Sequence, residues 1–520
     1  MSVARVACRA QVALQAPPVS VEVHLGSGLP SFSIVGLAGP EVKESKERVR
    51  AALVNSGFEL PAGRITVNLA PADLPKDGGR FDLAIALGIL VAAGQLQPRV
   101  ELAGLEFLGE LGLGGELRPV RGALPTAAAA AAAGRGLVLP AGNAAELRLL
   151  PGLRACAAAD LLQVCRALEG REPLTIIPDA PPAAALQGES GPGAPLAAGP
   201  ELADICGQAQ GKRALLVAAA GGHSLLFVGP PGCGKTLLAQ RLPALLPPLP
   251  AHEALEVAMI ASVSHAAGSA AAPWPVPRPF RAPHHSASAG AIVGGGARAR
   301  AGEVTLAHRG VLFLDELPEF DRRVLEALRE PLESGQVAIS RAGLQAEYPA
   351  RFQLVAAMNP CPCGHLGDPT RACRCPPAQL ERYRARLSGP LLDRVDLRVA
   401  LQPVSEAELA EHRRRGSGAA NGSGLSAKVA AAQRRQQARQ GCLNAALGPE
   451  ALERHAGVTD EAWNLMSRAR VQLGLSLRGL HRTVRVARSL ADLEAGEGSE
   501  GPVTALHAAE ALQLRRAFTA

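Results

Sequence analysis

Apolar residues at every second position mark the first strands of the chain. Val19–Leu25 and Arg64–Leu69 both alternate apolar and polar side chains, as a strand with one buried face does. Between them, Glu41–Asn55 has helical spacing, and Gly57 marks where that helix stops. The run Ala127–Ala133 predicts a packed helix, because alanine has the highest helix propensity. This region is therefore predicted to form an α+β domain.

Two uninterrupted apolar runs in the middle of the chain predict buried strands. Leu225–Val228 leads into a glycine-rich loop, and Val311–Leu314 leads into two acidic residues. Proline, glycine and alanine dominate residues 178–200, and glycine and serine dominate 416–424, so both stretches predict flexible connections. The predicted boundaries are an N-terminal domain over 1–172, a linker over 173–200, a nucleotide-binding core over 201–400, a flexible connection over 401–427 and a helical domain over 428–520.

Composition narrows the class of protein. At 520 residues the chain is too long for one core. The net charge of +7 suits an acidic partner such as a nucleic-acid backbone, although a GC-rich genome would raise the arginine content in the same way. With 3% aromatic residues, base stacking cannot be the main source of affinity for DNA. Any binding to DNA is therefore expected to be sequence-nonspecific.

The chain has no pattern typical of secretion or membrane insertion. The first residues lack the features of a signal peptide, and the most apolar stretch, Leu83–Gly94, is too short to cross a bilayer. We therefore expect a cytoplasmic protein without membrane contact, whose ten cysteines are mostly reduced.

The loop after Leu225–Val228 has the spacing of a phosphate-binding loop. It fits the pattern G-x-x-x-x-G-K-T, in which glycines let backbone N–H groups face phosphate oxygens at a helix N-terminus. Lys235 is expected to reach the β- and γ-phosphates of ATP. The predicted nucleotide-binding residues of this loop are Gly229, Pro230, Pro231, Gly232, Cys233, Gly234, Lys235, Thr236 and Leu237.

The acidic pair Asp315 and Glu316 predicts the second half of an ATP site. Thr236 would offer its hydroxyl to Mg2+, and Asp315 would hold the same ion through its water shell. Glu316 would orient the attacking water, which makes it the predicted catalytic carboxylate. Because both motifs follow apolar strands in the expected order, ATP and Mg2+ are the predicted cofactors.

Four cysteines form two close pairs at the ends of a short loop. Nine residues rich in glycine, aspartate and arginine separate Cys361 and Cys363 from Cys373 and Cys375. A structural Zn2+ held by four thiolates would stabilise this loop, which has little apolar material of its own. His365 could replace one ligand. Free thiols in a mobile loop and a redox-labile pair are the alternatives.

Together, the motifs resemble the ComM/YifB family of magnesium-chelatase-like AAA+ ATPases. Beyond the two ATP motifs, the likeness rests on Arg278–Ser286, Ala357–Gly364 and Ser388–Asp396. It implies an α/β fold with an AAA+ P-loop core, a helical lid and a preceding Lon-protease-like α+β domain. It also implies a homohexameric ring, ATP hydrolysis between subunits, and helicase action on DNA in the form of branch migration of recombination intermediates during natural transformation.

The resemblance assigns three more residues to ATP hydrolysis. Asn359 corresponds to sensor 1, beside the γ-phosphate; a turn-forming asparagine is the alternative. Arg394 corresponds to the arginine finger, which acts in trans on a neighbouring subunit's nucleotide; a salt bridge to a nearby aspartate is the alternative. Arg478 corresponds to sensor 2, with Arg482 and Arg485 as rivals one and two turns along the same helix.

The N-terminal domain resembles the domain that carries the proteolytic site of Lon and is also found in RadA. Arg80 stands where the protease has its serine, and Leu124 where it has its lysine. Without a nucleophile or a base, peptide hydrolysis has no mechanism, so we predict a binding or ring-assembly element and no protease. Lys76 and Arg80 are candidate DNA contacts, with ordinary surface charge as the alternative.

Two segments of the core are further candidate DNA contacts. Residues 336–352 predict a hairpin with Arg341 near its tip, which the family uses as a pore element. Residues 278–300 predict a glycine-containing loop with the adjacent pair His284 and His285. Metal binding by this pair is disfavoured, because neighbours in sequence seldom face one ion.

The leading prediction is an ATP-driven homohexameric motor on DNA. A magnesium-chelatase motor subunit is the nearest alternative, and it is disfavoured because such subunits are not expected to carry the N-terminal domain or the four-cysteine loop. An ATP-switched regulatory scaffold that binds a protein partner is the third. An ATP-dependent protease is disfavoured by Arg80 and Leu124.

Overall fold

The computed structural model describes residues 3–37, 39–178, 202–264, 276–296, 299–341, 344–368, 371–415, 422–496 and 500–515. They form two compact units. The first contains the described residues within Met1–Ala194, Pro250–Val276 and Ala338–Tyr348, and the second contains those within Pro195–Leu249, Pro277–Val337 and Pro349–Ala520. The predicted linker begins with a short strand, and from residue 179 onward it lies outside the described residues.

The alternating pattern at the start of the chain belongs to a mixed sheet. Its region contains the strands β1 Val3–Arg9, β2 Pro18–Gly26, β3 Ser31–Val35, β4 Arg64–Ala70, β5 Leu105–Phe107, β6 Glu110–Leu111, β7 Leu117–Arg118, β8 Gly136–Pro140, β9 Ala155–Ala158 and β10 Thr175–Ile176. Eight of them form one sheet in the order β10-β9-β8-β5-β1-β2-β4-β3, and β6 pairs with β7. Strand β2 is antiparallel to β1 and β4, whereas β5, β8 and β9 run parallel to one another. The two strands predicted from alternation are β2 and β4.

The helices of the described residues up to 178 are α1 Pro40–Asn55, α2 Asp82–Ala92, α3 Ala123–Ala132, α4 Ala144–Leu147 and α5 Leu161–Leu168. The predicted helix before Gly57 is α1, and the alanine run lies in α3. The apolar stretch after Asp82 is α2, which packs on the sheet so closely that a Cβ on Gly88 would lie 2.5 Å from the Val23 side chain. Within the described residues, no helix has the length and apolar character needed to cross a membrane.

The buried runs in the middle of the chain form a parallel sheet. The strands here are β11 Leu225–Val228, β12 Phe280–Arg281, β13 Gly294–Gly295, β14 Arg300–Ala301, β15 Val311–Leu314, β16 Gln336–Arg341, β17 Leu344–Pro349, β18 Gln353–Met358 and β19 Leu397–Ala400. The sheet has the order β12-β15-β18-β11-β19, and all its neighbours are parallel. Strands β16 and β17 form the predicted hairpin, and the side chain of Arg341 lies outside the described part of the chain. The chain thus has a mixed α/β fold with a parallel sheet.

The remaining helices are α6 Ala209–Gly221, α7 Lys235–Leu245, α8 Ala251–Ser264, α9 Ala289–Val293, α10 Glu303–Leu306, α11 Arg322–Ala327, α12 Arg329–Ser334, α13 Pro377–Ala385, α14 Gly389–Leu392, α15 Glu406–Arg415, α16 Gly422–Gln440, α17 Pro449–His455, α18 Asp460–Gln472, α19 Leu477–Glu494 and α20 Ala505–Gln513. Within the predicted flexible connection over 401–427, α15 and the first residues of α16 are helical. Residues 416–421 lie outside the description.

Candidate functional site

The phosphate-binding motif forms a loop between β11 and the start of α7. Gly232 and Gly234 have φ values of +78° and +91°, a left-handed backbone that favours glycine. The turn they allow brings Lys235 to the first position of α7. Backbone N–H groups at such a helix start, together with the helix dipole, favour an anion.

Lys235 links the phosphate-binding loop to the neighbouring strand. Its ammonium donates to the carbonyl oxygens of Gly229 and Pro230 at 2.8 and 2.9 Å and to Oδ1 of Asn359 at 3.0 Å. Burial lowers the pKa of Lys235, and the nearby carboxylates of Asp315 and Glu316 offset only part of this effect. A triphosphate would offer the buried ammonium stronger acceptors than these carbonyls.

Thr236 and Asp315 place two oxygen groups side by side. The Thr236 hydroxyl donates to Oδ2 of Asp315 at 2.8 Å, and the other carboxylate oxygen accepts from the backbone N–H of Glu316 at 2.9 Å. Hydroxyl and carboxylate oxygens are ligands that suit Mg2+. These residues therefore fit the role of a magnesium site beside the phosphates.

Glu316 lies next to this pair in an unusual backbone conformation. Its φ is +51°, and its carboxylate contacts Nδ1 of His285 at 3.1 Å. The His285 ring packs against that of His284 in a tilted arrangement, with ring centroids 4.1 Å apart. The sequence drew attention to the histidine pair, but it gave no sign that its partner would be the predicted catalytic carboxylate.

A cavity of about 340 Å³ joins the two ATP motifs and the end of β18. Because β11, β15 and β18 are adjacent and parallel, the segments that follow them meet at one edge of the sheet. The lining residues are Pro231, Gly232, Gly234, Lys235, Thr236, Leu237, Asp315, Glu316, Met358 and Asn359. Asn359 thus stands between the two motifs, as the resemblance implies for sensor 1.

The predicted arginine finger lies elsewhere in the same unit. Arg394 is buried: its guanidinium donates to the Pro390 carbonyl at 2.7 Å and to the carboxylate of Glu333. Its ion pair is therefore with Glu333, and not with one of the nearby aspartates that sequence reasoning offered as partners. Among the described residues, those lining the cavity do not include Arg394 or Arg478.

The three arginines of α19 have different surroundings. Arg478 is 62% exposed and lies 3.7 Å from the Glu333 carboxylate. Arg482 donates to Oδ1 of Asp396 at 2.5 Å and to the Arg394 carbonyl at 2.9 Å. Burial lowers the pKa of Arg485. Arg482, named in the sequence only as a rival, is thus the one that anchors the Arg394 backbone.

The four cysteines of the loop come together. The Cys361 sulfur lies 3.3 Å from that of Cys363 and 3.7 Å from that of Cys373, and all four sulfurs lie within 4.8 Å of one another. A tetrahedral zinc with Zn–S bonds of about 2.3 Å would place sulfurs roughly 3.8 Å apart, so the set fits the metal. The His365 ring lies near Asp368, and the sulfur set is complete without it.

Lys76 and Arg80 are buried, which contradicts both alternatives offered for them, a DNA contact and ordinary surface charge. The Lys76 ammonium donates to the carbonyls of Gly36, at 2.9 Å, and Pro71. One Arg80 nitrogen donates to the carbonyl of Arg121, and burial lowers the pKa of Arg80 to about 10. Both cations therefore serve to satisfy backbone carbonyls inside the N-terminal unit.

Three family models match the chain in succession. The one described as "Magnesium chelatase, subunit ChlI" matches residues 201–409 and therefore contains the cavity. "Subunit ChlI of Mg-chelatase" matches 21–143, and "Magnesium chelatase, subunit ChlI C-terminal" matches 420–515. Because the match over 21–143 carries the chelatase description, the N-terminal domain is no argument against a chelatase-like motor.

Similar proteins cover almost the whole chain. The competence protein ComM of Haemophilus influenzae is 46% identical over 515 residues, which are 99% of this chain and 98% of that protein. YifB of Salmonella typhimurium is 46% identical over 516 residues, covering 99% and 97%. The DNA replication licensing factor mcm-6 of Caenorhabditis briggsae is 32% identical over 97 residues, 19% of this chain and 11% of that one. The chain therefore belongs to the ComM/YifB family of magnesium-chelatase-like proteins.

Proposed function

We propose that the protein is an ATP hydrolase that works on DNA as a homohexameric motor. The observation that carries the proposal is the convergence of Lys235, Thr236, Asp315, Glu316 and Asn359 on one cavity. Lys235 offers a cation to the phosphates, and Thr236 and Asp315 offer oxygen ligands to Mg2+. Glu316 offers a carboxylate that can orient water, and the amide of Asn359 lies between the two motifs. Such a set suits hydrolysis of a nucleoside triphosphate.

Each side chain is proposed to have one task in hydrolysis. Lys235 leaves its carbonyl partners and binds the β- and γ-phosphates, while Thr236 and Asp315 hold Mg2+, which supplies charge neutralisation at the phosphates when bound. Glu316 orients the attacking water, and Asn359 positions it. Arg394 releases Glu333 and enters the site of the adjacent copy, and Arg478 contacts the nucleotide from the lid.

DNA is the proposed track for three reasons. The chain carries a net charge of +7, one relative is a competence protein, and a 97-residue segment resembles a DNA replication licensing factor. A basic surface binds the phosphate backbone without reading sequence, and the affinity falls with added salt. Branch migration of recombination intermediates, as in natural transformation, is the proposed work.

The N-terminal unit is proposed to be a binding or ring-assembly element, and it is not proposed to cleave peptides. Arg80 and Leu124, at the positions that the Lon resemblance gives to serine and lysine, are both buried. Neither side chain can act as a nucleophile or a base towards a peptide.

Zn2+ is the metal ion that we propose for the four-cysteine loop. The mutual distances of the sulfurs support a closed four-thiolate site, which leaves no open position for a reacting group. Its role is therefore structural.

A DNA-stimulated ATPase measurement tests the proposal. Phosphate release is followed with and without duplex and forked DNA at fixed Mg2+, and a motor on DNA is expected to accelerate at least about tenfold, equivalent to ~1.4 kcal/mol of barrier. Hydrolysis that DNA does not change would favour the scaffold or the chelatase-type motor. No hydrolysis under any condition would contradict the ATPase itself.

A further inference from the structure

The four-cysteine loop touches the phosphate-binding loop at Gly364. A Cβ on this glycine would lie 2.7 Å from Cδ and 2.9 Å from Cγ of Pro231, so the Gly364 backbone packs closely against the Pro231 ring. Pro231 lines the nucleotide cavity. A residue adjacent to Cys363 therefore supports one wall of the ATP site.

The position of Gly364 depends on the cysteines around it. Its backbone N–H donates to the Cys361 carbonyl at 2.9 Å, and the N–H of Leu366 donates to the Cys361 sulfur at 3.3 Å. On the far side of the cluster, the N–H of Cys375 donates to the Cys373 sulfur at 3.4 Å. The turn that presents Gly364 to Pro231 is thus built on the same sulfurs that would bind the metal.

The loop also borders a second lining residue of the cavity, Asn359. Cys361 follows Asn359 after a single proline, and the hydroxyl of Tyr383, from the helix after the loop, donates to the Asn359 carbonyl at 3.2 Å. Two lining residues, Pro231 and Asn359, are therefore both in contact with or adjacent to the segment closed by the four cysteines.

We propose that Zn2+ in the four-cysteine loop holds the phosphate-binding loop in its nucleotide-binding shape, so that zinc occupancy sets the affinity for nucleotide. The inference rests on the proposed function in requiring that the cavity bind nucleotide. When the metal is lost, the sulfurs are no longer tied together and Gly364 loses its fixed position against Pro231. The phosphate-binding loop must then be ordered on binding, which weakens the affinity.

Two glycines of the same loop provide a matched pair of variants. Gly364 and Gly367 have φ values of +83° and +78°, so alanine at either position carries a similar backbone strain. Only at Gly364 does the added Cβ press on Pro231, since at Gly367 it meets no described atom within 4 Å. Neither substitution removes a sulfur.

The pair is compared by zinc content, thermal midpoint and dissociation constant for a fluorescent ADP analogue at fixed Mg2+. Gly364→Ala is expected to keep one Zn2+ per chain and to raise the dissociation constant at least about tenfold, equivalent to ~1.4 kcal/mol. Gly367→Ala is expected to bind both zinc and nucleotide as the wild type does. Equal nucleotide affinities in the two variants would overturn the proposal.

Zinc removal provides the second test. Wild-type protein treated with a zinc-selective chelator, and the variant Cys373→Ser, are expected to lose zinc and to bind the analogue about tenfold more weakly. Zinc added back to the chelated wild type restores the affinity, and Cys156→Ser, a cysteine of the N-terminal unit, is the control. A wild type that contains no zinc, or an affinity unchanged by its loss, would overturn the inference. A zinc-loaded wild type that binds no nucleotide would instead contradict the proposed function.

Discussion

At the scale of single residues, Glu316 is the side chain on which the proposed hydrolysis depends most directly. A non-glycine residue rarely adopts its φ of +51°, and such strained positions persist where the surroundings fix them, often at functional sites. Its carboxylate contacts His285, and Glu316 lines the cavity together with Asp315.

Glu316→Gln is expected to bind nucleotide normally and to lose turnover by roughly 10²-fold or more, because the amide cannot accept the proton of water. Phosphate release and binding of a fluorescent ADP analogue measure the two effects. Glu319→Gln is the control, since this glutamate pairs with Arg386 and does not line the cavity. Hydrolysis that survives in Glu316→Gln would assign the base to another group.

The residues that the sequence motifs singled out for the ATP site line one cavity, whereas sequence reasoning did not foresee that two cations are buried. Lys235, Asp315 and Asn359 follow strands whose apolar runs are plain in the sequence, and parallel pairing then brings them together. Lys76 and Arg80 were assigned to the surface because a charged side chain in a single sequence suggests solvent exposure. Two of their carbonyl partners, Gly36 and Arg121, lie 40 and 41 residues away in the sequence, where no local pattern reveals them.

At the scale of elements, Asp396 connects the start of β19 to the helices that follow. Burial alone would raise the pKa of Asp396, but His223, Arg482 and Arg515 outweigh it and hold the pKa below its ordinary value. The backbone N–H of Ser224 also donates to this carboxylate at 3.2 Å. The ionised form of Asp396 therefore stabilises the folded state.

Asp396→Asn is expected to lower the thermal midpoint at pH 7 by several degrees, because an unbalanced buried ion pair costs roughly 3–5 kcal/mol. The folded-state pKa lies below the unfolded value of about 3.9, so this contribution is complete well above pH 4 and is lost as the pH falls below it. The gap between wild type and variant should therefore narrow in acid. Asp393→Asn, at an exposed neighbour, is the control, and a gap independent of pH would contradict the account.

The arginines of α19 give a second comparison between elements. Arg482→Ala removes a partner of Asp396 and of the Arg394 carbonyl, so both the thermal midpoint and the ATPase rate should fall. Arg478→Ala should leave the midpoint unchanged, since its side chain is 62% exposed, and should slow hydrolysis about tenfold through one lost contact to the nucleotide. A normal rate of hydrolysis in Arg478→Ala would mean that Arg478 does not contact the nucleotide.

Alternation and apolar runs predicted the strands, but they gave no sign of the helices within the connection between core and tail. Residues 422–424 are glycine and serine, yet α16 begins there. Contacts with another helix stabilise α16. The side chains of Gln433 and Gln436 donate to the carbonyls of Ala219 and Ala220, respectively, at the end of α6. Val429 of α16 is buried. Such tertiary contacts override local propensity and leave no mark in the composition.

At the scale of the whole molecule, the proposed ring makes each site depend on its neighbour. Mixing Arg394→Ala subunits into wild type is expected to depress ATPase activity more steeply than dilution does, because every variant copy also disables the adjacent site. The rate is measured against the fraction of variant at constant total protein. Glu333→Gln is the control, because it breaks the ion pair of Arg394 but leaves the arginine in place. Mixing Glu333→Gln subunits into wild type should therefore not depress ATPase activity more steeply than dilution does. A straight-line decline with the fraction of Arg394→Ala would mean independent subunits.

The central claim is that ATP hydrolysis in this cavity drives movement along DNA. Conversion of a labelled four-way junction into its products, followed with ATP, with a non-hydrolysable analogue and with Glu316→Gln, tests it most directly. The account predicts ATP-dependent conversion by the wild type alone, with the other two conditions leaving the junction intact. Active ATP hydrolysis in a preparation that leaves both four-way and forked DNA unchanged would contradict it.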